Sequence, residues 1–131
     1  MIRLAVSLSV LLAGCVSMAD TTTPAGVTPA GEYTLVSLDG EDFAATATLS
    51  FLPDGAIGGM GPCNRWSARL LAPWPAFRPA PVIATERACA DLRAEQEFFL
   101  ALSIMSRAEV ADGTLTLTSD DGIAMVFRAL P

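Results

Sequence analysis

The chemistry open to this chain is bounded by three cysteines, eight arginines and fourteen carboxylates, with no histidine and no lysine. Without histidine there is no Ser-His-Asp or Cys-His nucleophile and no imidazole metal ligand. Cys63 and Cys89 stand too far apart for a C-x-x-C redox pair, and no further sulfur or nitrogen ligands could complete a metal site. The acids Asp91, Glu95 and Glu97 could form a carboxylate cluster for acid–base work or calcium. At a helix entry, a solvated face that complements the dipole is the favoured reading. Asp120-Asp121-Gly122 lacks the alternating oxygens of a calcium loop and reads as a turn. Gly58-Gly59-Met60-Gly61 is no phosphate cradle, since no P-loop lysine exists and no clear helix follows. Asn64 and Arg65 could make a small polar site, but an asparagine after such a turn more often bonds local backbone and shapes it. No catalytic residue, cofactor or metal ligand is therefore assigned, and a non-enzymatic protein is expected.

Charge narrows the partners further. The net charge of −6 is opposite in sign to what a nucleic-acid surface requires, so nucleic acid is excluded as a partner.

These residues must be positioned by a chain that opens on an address. Met1-Ile2-Arg3 is a short positive start, and Leu4 to Ala13 is an apolar run interrupted only by Ser7 and Ser9. Such a run, of roughly ten residues, is too short to span a bilayer and suits the h-region of a secretory signal. It ends in Leu11-Leu12-Ala13-Gly14-Cys15, which resembles the lipobox of bacterial lipoproteins. That resemblance implies cleavage after residue 14 and lipidation of Cys15, with a plain secreted protein as the alternative. Several acyl chains, at about 0.8 kcal/mol per buried methylene, give an anchor that does not readily dissociate. Val16, where an Asp would signal inner-membrane retention, points by the same resemblance to the outer membrane. Loss of residues 1–14 removes Arg3 and no acid, leaving seven cations against fourteen acids, a net −7. The membrane contact would then rest on lipid and not on a basic patch. Residues 15–30, rich in Thr, Ala, Pro and Gly, are expected to be a flexible spacer, and residues 31–131 a single domain.

Within that domain the signals are mostly strand and turn. Glu32 to Leu38 closes at Asp39-Gly40; Thr46 to Phe51 alternates apolar and polar; Pro53-Asp54-Gly55 turns into Ala56 to Met60; Asn64 to Leu70 is a further strand. Prolines 73, 75, 79 and 81 keep 72–81 an irregular loop or edge. Thr114 to Thr118 and Ile123 to Ala129, joined through Asp120-Asp121-Gly122, read as a terminal hairpin. Asp91 to Arg107 lacks Gly and Pro and places Leu92, Phe99 and Leu102 on one helical face, flanked by Phe98 and Met105, with Asp91 as the cap. The expected fold is mainly β with one α-helix: an antiparallel, barrel-like curled sheet with the helix packed across it. Trp74 and Phe77, in the Pro-rich loop, either plug one end of the barrel, which is favoured, or form an apolar patch for a partner.

For Cys63 and Cys89, a disulfide is the simplest reading of an even pair in an exported protein, with free thiols as the alternative.

Three blocks then resemble one family. Gly58-Gly59-Met60-Gly61-Pro62-Cys63-Asn64-Arg65-Trp66 is similar to the G-x-x-G-C-N-x-[YFW] motif of META domain (HslJ-like) proteins. Thr85-Glu86-Arg87-Ala88-Cys89 is similar to its T-x-x-A-C, and Glu95, Phe98, Phe99 and Leu102 match its E-x-x-F-x-x-x-L helix. The three blocks keep the family's order and spacing over about residues 31–129. Pro62 departs from the pattern, which has Gly there. The resemblance implies an exported or lipid-anchored, mostly antiparallel barrel-like domain with one helix and the two cysteines paired, and a family without established catalysis that includes heat-induced envelope proteins. The expected function is a periplasm-facing envelope lipoprotein, supporting envelope integrity or stress tolerance through contacts with an envelope protein. The alternative is a small binding or inhibitor module that engages a peptide, enzyme or hydrophobic ligand at the barrel mouth or the 72–81 loop.

Overall fold

The computed structural model describes residues 29–131; the signal segment, Cys15 and all but the last two residues of the spacer lie outside the described residues. Nine strands and one α-helix follow in order: β1 (Glu32–Leu38), β2 (Glu41–Asp42), β3 (Thr48–Leu52), β4 (Ala56–Met60), β5 (Arg65–Arg69), β6 (Ile83–Ala84), α1 (Leu92–Ser103), β7 (Met105–Ala111), β8 (Thr114–Ser119) and β9 (Ala124–Ala129). The strands form one antiparallel sheet in the order β6-β5-β4-β3-β1-β9-β8-β7, with β2 pairing β1 beside it. The fold class is as the sequence predicts: a curled, barrel-like sheet with one helix across it. Among the described residues no helix is long and apolar enough to cross a membrane.

Tight turns set the registers. Asp39-Gly40 and Asp112-Gly113 both carry positive φ at both positions (50° and 81°, 50° and 72°). That is the primed-turn geometry whose twist matches the flanking strands. The first joins β1 to β2 and the second joins β7 to β8, with Ala111 opposite Thr114. The terminal hairpin forms as expected, with Leu115 opposite Phe127 and Leu117 opposite Met125, all four buried on the inner face.

Two expectations about 91–107 are corrected. The helix ends at Ser103, and Met105 begins a strand that pairs with β8 along its length. A bulge between Met105 and Arg107 shifts the inward set from Met105 to Ala108 and Val110, which disguises the period-two pattern. Pairing with the Leu115/Leu117 strand overrides the helical propensity of this short run. Asp91 sits at the N-cap position, yet its side chain makes no capping hydrogen bond.

The interior is filled. Leu49, Ile57, Phe77, Phe98, Leu102, Leu115, Leu117, Met125 and Phe127 are wholly buried, with Phe51 half-buried at the margin. The helix contributes Phe98, which meets Trp66 edge-on at 5.6 Å. At the other end Trp74 meets Phe51 edge-on, also at 5.6 Å. The Pro-rich loop acts as a clasp between two distant strands. Leu70 bridges Pro79 and Ala76 bridges Arg107. Phe77 N–H donates to the Ser106 carbonyl, and Ala108 N–H to that of Pro75. The loop thereby joins the end of β5 to β7 and seals the sheet where direct strand pairing stops.

Candidate functional site

The family-motif residues converge on one buried polar node under the N-terminal half of the helix. Glu95 is 4% exposed. Its Oε2 accepts hydrogen bonds from the main-chain N–H groups of Cys63 (2.8 Å) and Asn64 (2.7 Å), and its Oε1 accepts from Asn64 Nδ2 (2.5 Å). Asn64, 3% exposed, uses all four of its hydrogen-bonding positions. Nδ2 also donates to the Arg87 carbonyl (3.0 Å), while Oδ1 accepts from Thr85 Oγ1 (2.9 Å) and Arg87 N–H (2.6 Å). One asparagine and one glutamate thus tie the turn before β5, the segment after β6 and the helix into a single unit.

This overturns two readings. Glu95 belongs to the buried node and not to a solvated acidic face, whereas Glu97 does stay on the surface, paired with Arg93 at 3.2 Å. Asn64 is a tertiary cross-link and not only a turn former, and its neighbour Arg65 is exposed and takes no part.

The glycines before the node are explained by contact. A Cβ on Gly61 would stand 2.7 Å from Glu95 Oε2, and one on Gly59 would stand 2.2 Å from the Thr48 carbonyl oxygen. Side chains at either place would push the carboxylate or the neighbouring strand away. Trp66 completes this end of the sheet, donating from Nε1 to the same Thr48 carbonyl (3.2 Å). Pro62 fits because Gly61 N–H closes the turn to the Asn64 carbonyl, and Cys63 and Asn64 supply the N–H groups that Glu95 needs. A missing N–H at position 62 therefore costs the node nothing. Cys63 and Cys89 are joined in a disulfide, Cα atoms 5.7 Å apart, which fastens the same turn to the residues before the helix. Phe98 and Leu102 are wholly buried beside the node.

The node lines the base of a groove of about 480 Å3 between the β6 end of the sheet and α1. Val82, Ala84, Leu92 and Phe99 give it apolar walls, and Thr85, Glu86 and Arg87 form its polar rim. Sequence reasoning missed the groove, and it missed the role of Arg87 in the node. That role is played by main-chain atoms, which leave no trace in residue type.

Trp74 and Phe77 are buried, at 8% and 0% exposure, so they plug the barrel end and do not form an exposed partner patch. Trp74 Nε1 is buried without a hydrogen-bond partner among the described residues. The indole flanks a second groove, of about 690 Å3, against Arg107, Glu109, Thr116 and Thr118.

Comparison with known proteins agrees with this architecture. Two solved structures share the fold: the NMR structure of a protein from Burkholderia xenovorans (19% identity, TM-score 0.60, covering 76% of this chain and 81% of that one) and a second NMR structure (16% identity, TM-score 0.58, covering 76% and 88%). No curated protein sequence matches the chain. The META domain family model matches residues 26–130, a span that contains the turn, the disulfide, the node and the helix, and the chain belongs to the META domain family.

Proposed function

We propose that this protein is a non-enzymatic, lipid-anchored envelope protein of HslJ-like type. Cys15 holds it, in the outer membrane by the Val16 criterion, and its domain faces the periplasm and supports envelope integrity or stress tolerance through protein contacts. The observation that carries this reading is how the motif residues are used. Asn64, Thr85 and Glu95 direct their hydrogen-bonding atoms at one another and at main chain. Residues so engaged hold a surface in shape; they are not presented to a substrate. The lipobox-like run ending at Cys15 and the disulfide agree with an exported, oxidised setting. A hydrophobic ligand held inside the barrel is disfavoured, because Leu49, Leu115, Leu117 and Phe127 occupy that space.

The test is a gene deletion challenged with heat and detergent, complemented by the wild type and by Cys15→Ala, with palmitate labelling of both. Restored tolerance and labelling with the wild type alone support the reading. A Cys15→Ala protein that still fractionates with membranes, or complements fully, overturns it.

A further inference from the structure

We infer that the groove between β6 and α1 binds an extended segment of another polypeptide, added as a strand along β6, with a carboxylate of that segment meeting Arg87. The inference deepens the protein-contact reading above by naming the surface and the class of partner.

Three observations converge on the groove. First, β6 ends the sheet, and its outer side is unpaired. Thr85 N–H donates to the Arg65 carbonyl, so the residues flanking Ala84 face β5. Alternation along an antiparallel strand then turns the Ala84 N–H and C=O away from β5, toward the open edge. Among the described residues no main-chain partner meets them. Second, the strand edge stands opposite a helix, with Val82, Leu92 and Phe99 between them. An edge that offers main-chain bonds beside apolar pockets for alternate side chains is the arrangement by which folded domains take up extended peptides. Third, Arg87 is exposed at the rim, and the ion pair found among the described residues, Arg93–Glu97, does not involve it. Its main-chain N–H and C=O are held by Asn64, so the guanidinium projects from a fixed base. A fixed, unpaired cation selects a partner with a carboxylate.

The experiment uses the full chain carrying Cys15→Ser, 15N-labelled, and a synthetic library of decapeptides of alternating apolar and polar residues. Each peptide is made with one acidic residue and again with lysine in its place. Binding is read from amide shifts and hydrogen exchange at Ala84. Acidic members should bind in preference to their lysine counterparts and protect the Ala84 amide. N-methylation of a bound peptide at alternate residues should weaken it about tenfold in one register and leave the other unchanged, as loss of roughly one main-chain hydrogen bond requires. Ala84→Pro should weaken binding similarly, since that N–H serves no bond within the sheet. Arg87→Gln should abolish the acidic preference while leaving the node intact.

Equal tolerance of N-methylation in both registers overturns strand addition, and so does a library with no member that shifts Ala84. An Ala84 amide already protected in the free protein also overturns the proposal. If deletion of residues 16–28 releases it, the chain's own segment is the occupant; if dilution releases it, a second copy is. Each of these results leaves the Cys15 anchor standing, and failure of the anchor leaves the peptide test intact.

Discussion

Replacing Glu95 with alanine would leave three donors facing an empty space: the N–H groups of Cys63 and Asn64, and Asn64 Nδ2. A buried donor without its acceptor costs about 1–3 kcal/mol. The Cys63 N–H is only partly buried, and water can replace the carboxylate there. Two fully buried donors, both on Asn64, then set the loss at about 2–6 kcal/mol, a large part of the roughly 5–15 kcal/mol that holds a domain of this size together. Urea unfolding followed by the fluorescence of Trp66 and Trp74, both buried, measures the change. A reciprocal pair makes the test sharper. Glu95→Gln turns one acceptor into a donor, and Asn64→Asp sets two oxygens against each other where 2.5 Å now separates donor from acceptor. Combined, the two changes restore a donor and an acceptor with their roles exchanged. The double variant should recover about 1–3 kcal/mol relative to the sum of the single changes. Recovery is partial, because an aspartate in place of Asn64 cannot donate to the Arg87 carbonyl as the amide does. Strict additivity, or a Glu95→Ala variant within about 1 kcal/mol of wild type, would refute the node as the link between turn and helix.

Three further outcomes follow from the same structure. Gly59→Ala drives a Cβ against the Thr48 carbonyl, a backbone atom, and should destabilise the domain by about 3 kcal/mol in the same urea assay. Cys63→Ser combined with Cys89→Ser opens a loop with a sequence separation of 26 and should cost about 3–4 kcal/mol on the chain-entropy model, with urea midpoints of the wild type falling to match when reductant is added. Burial raises the pKa of Tyr33, the only tyrosine, above its ordinary 10.0. Absorbance at 295 nm should therefore show it titrating above pH 10 in the folded protein and near 10 in urea. The unfolded chain releases that proton first, so the contribution of Tyr33 to stability is full below about pH 10 and declines as pH rises toward the folded value.

Much of the architecture is legible from residue order because it rests on local chemistry. Asp39-Gly40, the alternating Thr114–Thr118 run and the Gly- and Pro-free stretch after Asp91 each declare their element within a few residues. The buried helix face, however, is built on Phe98 and Leu102, with Phe99 half-buried and Leu92 exposed, and not on the expected Leu92, Phe99 and Leu102. The missed strand shows where such reasoning stops. Asp112-Gly113, flanked by Val110 and Leu115, is as strong a hairpin signal as Asp39-Gly40. The bulge at 105–107 hides its strand's period, and a run free of Gly and Pro suggests that the helix continues. Glu95 was misplaced for a different reason. Burial of a carboxylate depends on donors that arrive from 31 and 32 residues upstream, which nothing in its own neighbourhood reveals. The groove beside β6 is likewise a product of long-range packing, since its walls come from separate segments of the chain.

The place of β9 in the strand order has a further consequence. Among the described residues it alone pairs with both β1 and the β7–β8 hairpin, so this late strand is the keystone of the sheet. A chain stopped before residue 124 holds two half-sheets linked through the 72–81 clasp alone, with the facing edges of β1 and β8 left open. Such a sheet can close only after residues 124–129 have been released.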